Sequence, residues 1–323
     1  VSTIAGQPAN SGSDDGPAGT STIHDPMGAA ISPDGSYVLI TGSGPPTGNG
    51  GRIRKIDLSN NTITTLATCT NPVGIAIHPT LNYAYILTYP GRLLRMNLGD
   101  NTIEVLLNNV GGSGYPLSIS PDGTFLLLVH NNPFTVKRAN LDSNGNMTGN
   151  LQTINVSGGV PNGTYAISIM ADSDTVILGN TNPKVFSISD PGTLLSTMSI
   201  GGTVFPARTE TMEFAYVLNS SGYLYKITLS SSSTITPSYY LKQHAGNLKD
   251  KNNSVKAVLT MNIDDNDNIY LCFSNTPGLY KVNAGADREN TPTYLCQGSE
   301  ELIQNGENIF KHSNGDMYIS CRS

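Results

Sequence analysis

The chain has 323 residues, with 18 Lys and Arg against 24 Asp and Glu, and a formal charge of −6. That balance provides no basic field for a phosphate backbone and excludes nucleic acid as a partner. No apolar run reaches the ~18 residues needed to span a bilayer as a helix.

Val1–Ala5 (VSTIA) reads as a strand in the pattern of Thr64–Ala67, and a Gly/Ser/Pro/Asp-rich loop, Gly6–Thr22, follows it. Met27–Ala67 then reads as four short strands: Ala29–Ser32, Tyr37–Thr41, Arg52–Leu58 and Thr62–Ala67. A Pro33-Asp34-Gly35 turn, a Gly/Pro loop and an Asn60-Asn61 turn separate them, residue types that set turn geometry. Copies of the unit start near residues 27, 72, 115, 164, 205, 257 and 309. Their spacing fits the ~40–50 residues of one four-stranded propeller blade. The second strands (Tyr37–Ile40, Tyr83–Leu87, Phe125–Val129, Ile269–Phe273) are nearly continuous apolar runs, as strands buried on both faces should be.

The expected fold is all-β, one β-propeller domain over residues 1–323. The seventh unit has two strands, Ile309-Phe310 and Met317–Cys321, and Val1–Ala5 is a last strand without a blade before it. Pairing the N-terminal strand with the C-terminal strands closes a seven-bladed ring and removes exposed edges. A six-bladed ring with residues 300–323 as a tail is the rival.

VSTIAG, Asp15-Gly16, Asp25-Pro26-Met27-Gly28, Ser32-Pro33-Asp34-Gly35 and Arg52-Ile53-Arg54-Lys55-Ile56 together resemble the NHL-repeat propellers, most strongly over residues 1–107. The resemblance implies a propeller. It also brings a metal-dependent hydrolase or lyase with a central-channel site into consideration, because an amidating lyase with a histidine-bound metal is among NHL-like relatives. A zinc site needs three or four convergent ligands, whereas His24, His78, His130, His244 and His312 share no blade position. No catalytic residue and no metal ligand set is therefore assigned.

Function on such scaffolds comes from loops and the channel mouth. The linkers into the blades and the loops between second and third strands share one face. That face carries the binding candidates His24, Asp25, Asn71, Tyr115, His130, Asn131, Tyr165 and Asn180. Asp264, Asn266 and Asn268 open like a calcium loop, but Ile269 replaces the glycine and Asn275 the bidentate glutamate, so a hydrated turn is the better account and structural calcium the weaker one. Arg52, Arg54 and Lys55 read as a solvated strand face.

Asn60, Asn146, Asn155, Asn162, Asn219 and Asn252 begin glycosylation triplets. With few lysines, they point to a secreted or surface location. Cys69, Cys272, Cys296 and Cys321 allow three full pairings, and none forms a C-x-x-C. Beginning at Val1, the sequence reads as a processed chain or an excised domain. The expected function is a non-enzymatic extracellular scaffold that binds protein, carbohydrate or copies of itself through its loop face. A subunit of an extracellular polymer (surface layer, sheath or filament) is the alternative, since a head-to-tail contact propagates.

Overall fold

The computed structural model describes Gly6 and residues 12–42, 50–110, 116–131, 133–156, 158–160, 166–170, 172–179 and 184–189, and beyond these the backbones of strands up to residue 321. Every sheet is antiparallel, and each takes its strands from one stretch of chain. The first holds β1 (Gly16–Pro17), β2 (Pro26–Ile31), β3 (Tyr37–Gly42), β4 (Gly51–Asp57) and β5 (Thr62–Cys69) in the order β1-β5-β4-β3-β2. The second is β6 (Pro72–Ile77), β7 (Tyr83–Thr88), β8 (Arg92–Asn97) and β9 (Ile103–Leu107). The third is β10 (Leu117–Ile119), β11 (Phe125–Asn131), β12 (Phe134–Leu141) and β13 (Met147–Ile154).

These three sheets make one compact unit, Ser2–Asn155, and Val156–Cys321 makes a second. In the second, β14 (Ala166–Ile169), β15 (Thr175–Gly179), β16 (Lys184–Ser187) and β17 (Leu194–Thr197) pair in chain order. So do β18 (Phe214–Leu218), β19 (Leu224–Thr228) and β20 (Pro237–Tyr239). They are followed by β21 (Val258–Ile263), β22 (Ile269–Phe273), β23 (Thr276–Val282) and β24 (Thr293–Tyr294), then the pair β25 (Gly306–Lys311) and β26 (Met317–Cys321).

The strand-turn-strand pattern read from the sequence matches these sheets closely, with two differences. Gly16–Pro17, inside what reads as a loop, adds a fifth strand outside β5 through Gly16↔Ile63 and Pro17↔Thr62. The last strand of the third unit, which the sequence alone reads as Leu151–Val156, begins instead at Met147, because Asp142–Asn146 folds as a tight hairpin turn: the Asp142 carboxylate accepts the Asn144 and Asn146 amides at 2.9 and 2.8 Å. Val1–Ala5 lies outside the described residues.

In the unit Ser2–Asn155 the sheets pack face to face around two cores. Leu39 and Ile53 meet Ile75, Ala84, Ile86 and Leu94 between the first and second sheets. Tyr85, Leu87 and Leu93 meet Ile119, Leu126 and Leu128 between the second and third. Alternate residues of β7 thus enter different cores, which is why its sequence is apolar throughout rather than alternating. Each buried side chain of this size contributes about 1.5–3 kcal/mol.

A second regularity ties the sheets together. Lys55 lies over the Tyr37 ring at 4.5 Å, Arg95 over Tyr83 at 4.3 Å and Arg138 over Phe125 at 4.1 Å. Each cation stands on the third strand, diagonally opposite an aromatic that opens the second, so the pairs occupy one repeated cross-strand position.

Candidate functional site at the linker end

Each sheet of the unit Ser2–Asn155 has a turn end, where the first strand hands over to the second, and a linker end, where the chain enters. At the linker end β2 and β6 start on proline, which needs no ladder hydrogen bond there. Before each proline sits an Asx residue in the left-handed region: Asp25 at φ 41° before Pro26, and Asn71 at φ 39° before Pro72. Aspartate and asparagine tolerate this region better than most residues. The β3 terminus runs so close beneath the first linker that a Cβ on Gly42 would stand 2.8 Å from the His24 carbonyl oxygen. At the second linker, a Cβ on Gly51 would stand 2.2 Å from the Pro72 ring. The sequence therefore builds matching, tightly seated linkers.

What holds the first linker is Arg54, which is 4% exposed and not the solvated residue expected. Its guanidinium donates to the Thr22 carbonyl at 2.5 Å, to the Asp14 carbonyl at 2.7 Å, and to the Asp15 carboxylate at 3.2 and 2.8 Å. The Asp15 carboxylate also accepts the Thr65 amide at 2.7 Å and the Thr65 hydroxyl at 2.8 Å. Burial pushes the Asp15 pKa up, but the Thr65 and Arg54 hydrogen bonds outweigh it and hold the group below its ordinary value. Asp14-Asp15-Gly16 is thus a clamp on β4 and β5. Its signal in the sequence is an acidic pair ahead of a blade whose third strand carries an arginine.

In the unit Val156–Cys321, Lys184 takes the corresponding position. It pairs with Leu178 as Arg54 pairs with Ile40, is 7% exposed, and donates to the Gly159 carbonyl of its own linker at 2.5 Å.

His24 is half-buried and lines a shallow cleft, with room for little more than a water molecule, together with Ile23, Thr41, Gly42, Arg52 and Arg54. Asn71 is exposed, and its carbonyl accepts the Tyr89 amide at 2.8 Å. His130 lies near the end of β11, with Nδ1 2.9 Å from the Pro133 carbonyl, and Asn131 closes the strand. The structure therefore places His24, Asp25, Asn71, His130 and Asn131 at one end of three neighbouring sheets. Tyr115, Tyr165 and Asn180 lie outside the described residues, as do Asp264, Asn266 and Asn268.

The sequence missed Tyr89, Met27 and Arg92. Tyr89, on the turn after β7, is 50% exposed. Met27 is 42% exposed because a bulge between Pro26 and Gly28 turns it outward. Arg92 opens β8 and reaches Asn108 Oδ1 at 3.2 Å.

His78 belongs to the turn end, is 4% exposed, and is committed to packing. Its Nδ1 accepts the Thr80 and Leu81 amides at 3.1 and 3.0 Å, so the proton sits on Nε2, 3.1 Å from the Gly123 carbonyl of the third sheet. Desolvation lowers its pKa, against the Gly123 bond, which raises it. Tyr85 crosses the same interface and donates to the Gly145 carbonyl at 2.7 Å. Among the described residues, no three His, Cys, Asp or Glu side chains converge to hold a metal.

Asn60, Asn146 and Asn155 are exposed, and Asn162, Asn219 and Asn252 lie outside the described residues. Cys69 is a free, half-buried thiol. Cys272 and Cys321 stand on β22 and β26, and Cys296 lies outside the described residues. No helix among the described residues is long and apolar enough to cross a membrane.

No family model and no curated relative matches the chain. Solved structures do. The β-propeller domain of Cps50 (Swd1) from Myceliophteria thermophila aligns with a TM-score of 0.66 at 10% identity, covering 92% of each chain. Kuenenia stuttgartiensis hydrazine synthase aligns at 0.65 with 14% identity, also covering 92% of each. A functionally unknown protein from Desulfotomaculum acetoxidans aligns at 0.63 with 16% identity, over 94% of this chain and 91% of that one. At these identities the likeness concerns the fold: the chain is all-β, with antiparallel sheets arranged as in β-propellers. Function does not carry over from it.

Proposed function

We propose that this chain is a non-enzymatic extracellular or cell-surface propeller that binds a protein or carbohydrate partner through its linker end. The architecture that goes with this reading is the NHL-type ring of seven blades closed by Val1–Ala5. One observation carries it. Two of the large hydrophobic side chains exposed among the described residues, Met27 and Tyr89, stand at the linker ends of adjacent sheets. Their backbones are fixed by a bulge and by the Asn71–Tyr89 hydrogen bond. Exposed apolar groups held rigidly among polar neighbours suit a contact surface, because little conformational entropy is lost on binding. The turn end of the same unit shows aspartate, asparagine, serine and threonine instead. The histidines support the non-enzymatic part, since His78 is spent on packing, His24 lies in the linker before β2 and His130 stands on β11 of the third sheet.

The test is a glycan and protein array probed with the parent chain and with Tyr89→Ala, Arg92→Ala and Asp34→Ala variants. Binding lost in the first two and kept in the third supports the reading; binding lost only with Asp34→Ala overturns it. Location is tested on protein from its native source. Glycan mass on Asn60 or Asn146 supports an extracellular site, and bare acceptors in a cytoplasmic fraction overturn it.

A further inference from the structure

The two ends of the unit Ser2–Asn155 differ in charge as well as polarity. The turn end carries one carboxylate in nearly every turn: Asp34, Asp57, Asp100, Asp122 and Asp142. Asp34, Asp57, Asp100 and Asp142 are held below the ordinary carboxylate range by hydrogen bonds from turn hydroxyls, amides and the Asn146 side chain, Asp34 down to about 2. They stay ionised wherever the protein is folded near neutrality. The nearest cations, Lys55, Arg95 and Arg138, lie against ring faces, and Lys55 and Arg95 also act on Asp57 and Asp142, but they are outnumbered by the five turn aspartates and Glu104, so the turns keep a net acidic rim. At the linker end the arginines come forward. Arg52 and Arg92 stand there beside Asp25, while Asp14 and Asp15 are engaged in the clamp behind the first linker, on Thr22 and Arg54.

We infer that the linker end of one copy docks on the turn end of a second, with Met27 and Tyr89 inside the contact and Arg52 and Arg92 facing the turn aspartates. This rests on the linker end being the binding end, and names the partner as another copy of the chain. Complementary ends on one molecule make a heterologous contact, which propagates head to tail unless rotation closes it. Opposed charges fix its register and speed its formation, and the exposed apolar groups supply its desolvated centre.

The experiment is sedimentation velocity of the full chain over a concentration series. Salt is set at about 0.01 M, where the Debye length is ~30 Å, and at about 1 M, where it is ~3 Å. The expected result is dimers and longer species at low salt that dissociate at high salt. The doubly reversed R52E/R92E variant weakens association by roughly tenfold or more, since it sets like charges against the turn aspartates. Mixing R52E/R92E with a D34K/D57K/D100K variant restores mixed association. A chain monomeric at low salt throughout the series overturns the inference. So does self-association that R52E/R92E leaves unchanged. Far-UV circular dichroism matching the parent shows that the variants fold. If the chain is monomeric but the array shows partners lost with Tyr89→Ala, the self-docking inference alone fails; if neither appears, the linker-end reading fails with it.

Discussion

Replacing Asp15 by alanine tests how the first linker is held. Arg54 has a side chain only 5% exposed, and Asp15, 41% exposed, is its charge partner. Breaking a fully buried ion pair by removing one member costs about 3–5 kcal/mol. Asp15 is half open to solvent, so water partly replaces it and screening trims the loss to roughly 2 kcal/mol. In a folding unit of this size that lowers the melting temperature by about 4–8 °C. Differential scanning calorimetry of Asp15→Ala, Arg54→Met and the double variant should show a coupling of about 1–3 kcal/mol between the two sites. The pH dependence has a definite sign. The folded Asp15 pKa lies below its ordinary value of 3.8. Its contribution is therefore present above 3.8 and is lost as pH falls through the lower folded value. Asp15→Ala melting within about 0.5 kcal/mol of the parent, the range of an ordinary surface change, would refute the clamp.

Gly123→Ala should destabilise by about 2 kcal/mol or more through strain and overpacking, since Gly123 has φ +73° and a Cβ there would stand 2.5 Å from His78 Cε1. Gly149→Ala is its control: φ is +67° with nothing within 4 Å, so only a backbone cost of about 1 kcal/mol is expected in urea titration. Because the His78 pKa is lowered by burial, the unfolded chain binds the proton more readily, so stability should decline as pH falls below about 6.5. His78→Ser, which installs the residue found at the matching turn positions Ser32 and Ser120, should flatten that part of the urea-midpoint profile; an unchanged slope would exclude His78 as its source. Burial pushes the Cys69 thiol up to about 11 despite nearby Arg92. A disulfide-exchange reagent at neutral pH should label it at least about tenfold more slowly in the folded than in the unfolded chain, and equal rates would contradict its burial.

The strands were legible because their signals are local. A hydrogen-bonded turn such as Ser32–Tyr37, with the Ser32 hydroxyl accepting the Tyr37 amide at 3.0 Å, needs only the Ser-Pro-Asp-Gly sequence beside it. Apolar runs such as Tyr83–Thr88 show burial on both faces without showing what lies there. Arg54 was misread because its partners, Thr22 and Asp15, are 32 and 39 residues away. A basic strand residue looks solvated until its partner is known. The aromatic–cation pairs were missed for a related reason: Tyr37 and Lys55 become diagonal neighbours only once β3 and β4 are in register. At the site, Asp25 and Asn71 were visible through the prolines that follow them. Tyr89 was hidden because exposure of an aromatic between Thr88 and Pro90 leaves no mark in composition.

Arg54 and Lys184 occupy the same strand position in two units and hold the chain just before their own blades through backbone carbonyls. A carbonyl contact does not depend on the linker's side chains, so linker residues can change without loosening the linker. Asp25 itself stays constrained by its left-handed backbone. The turn end has less freedom: Asp34, Asp57, Asp100, Asp122 and Asp142 each cap the backbone of their own turn, and replacing one removes that cap. Side-chain changes are therefore expected to cost less backbone support beside the carbonyl-held linkers than in the aspartate-capped turns.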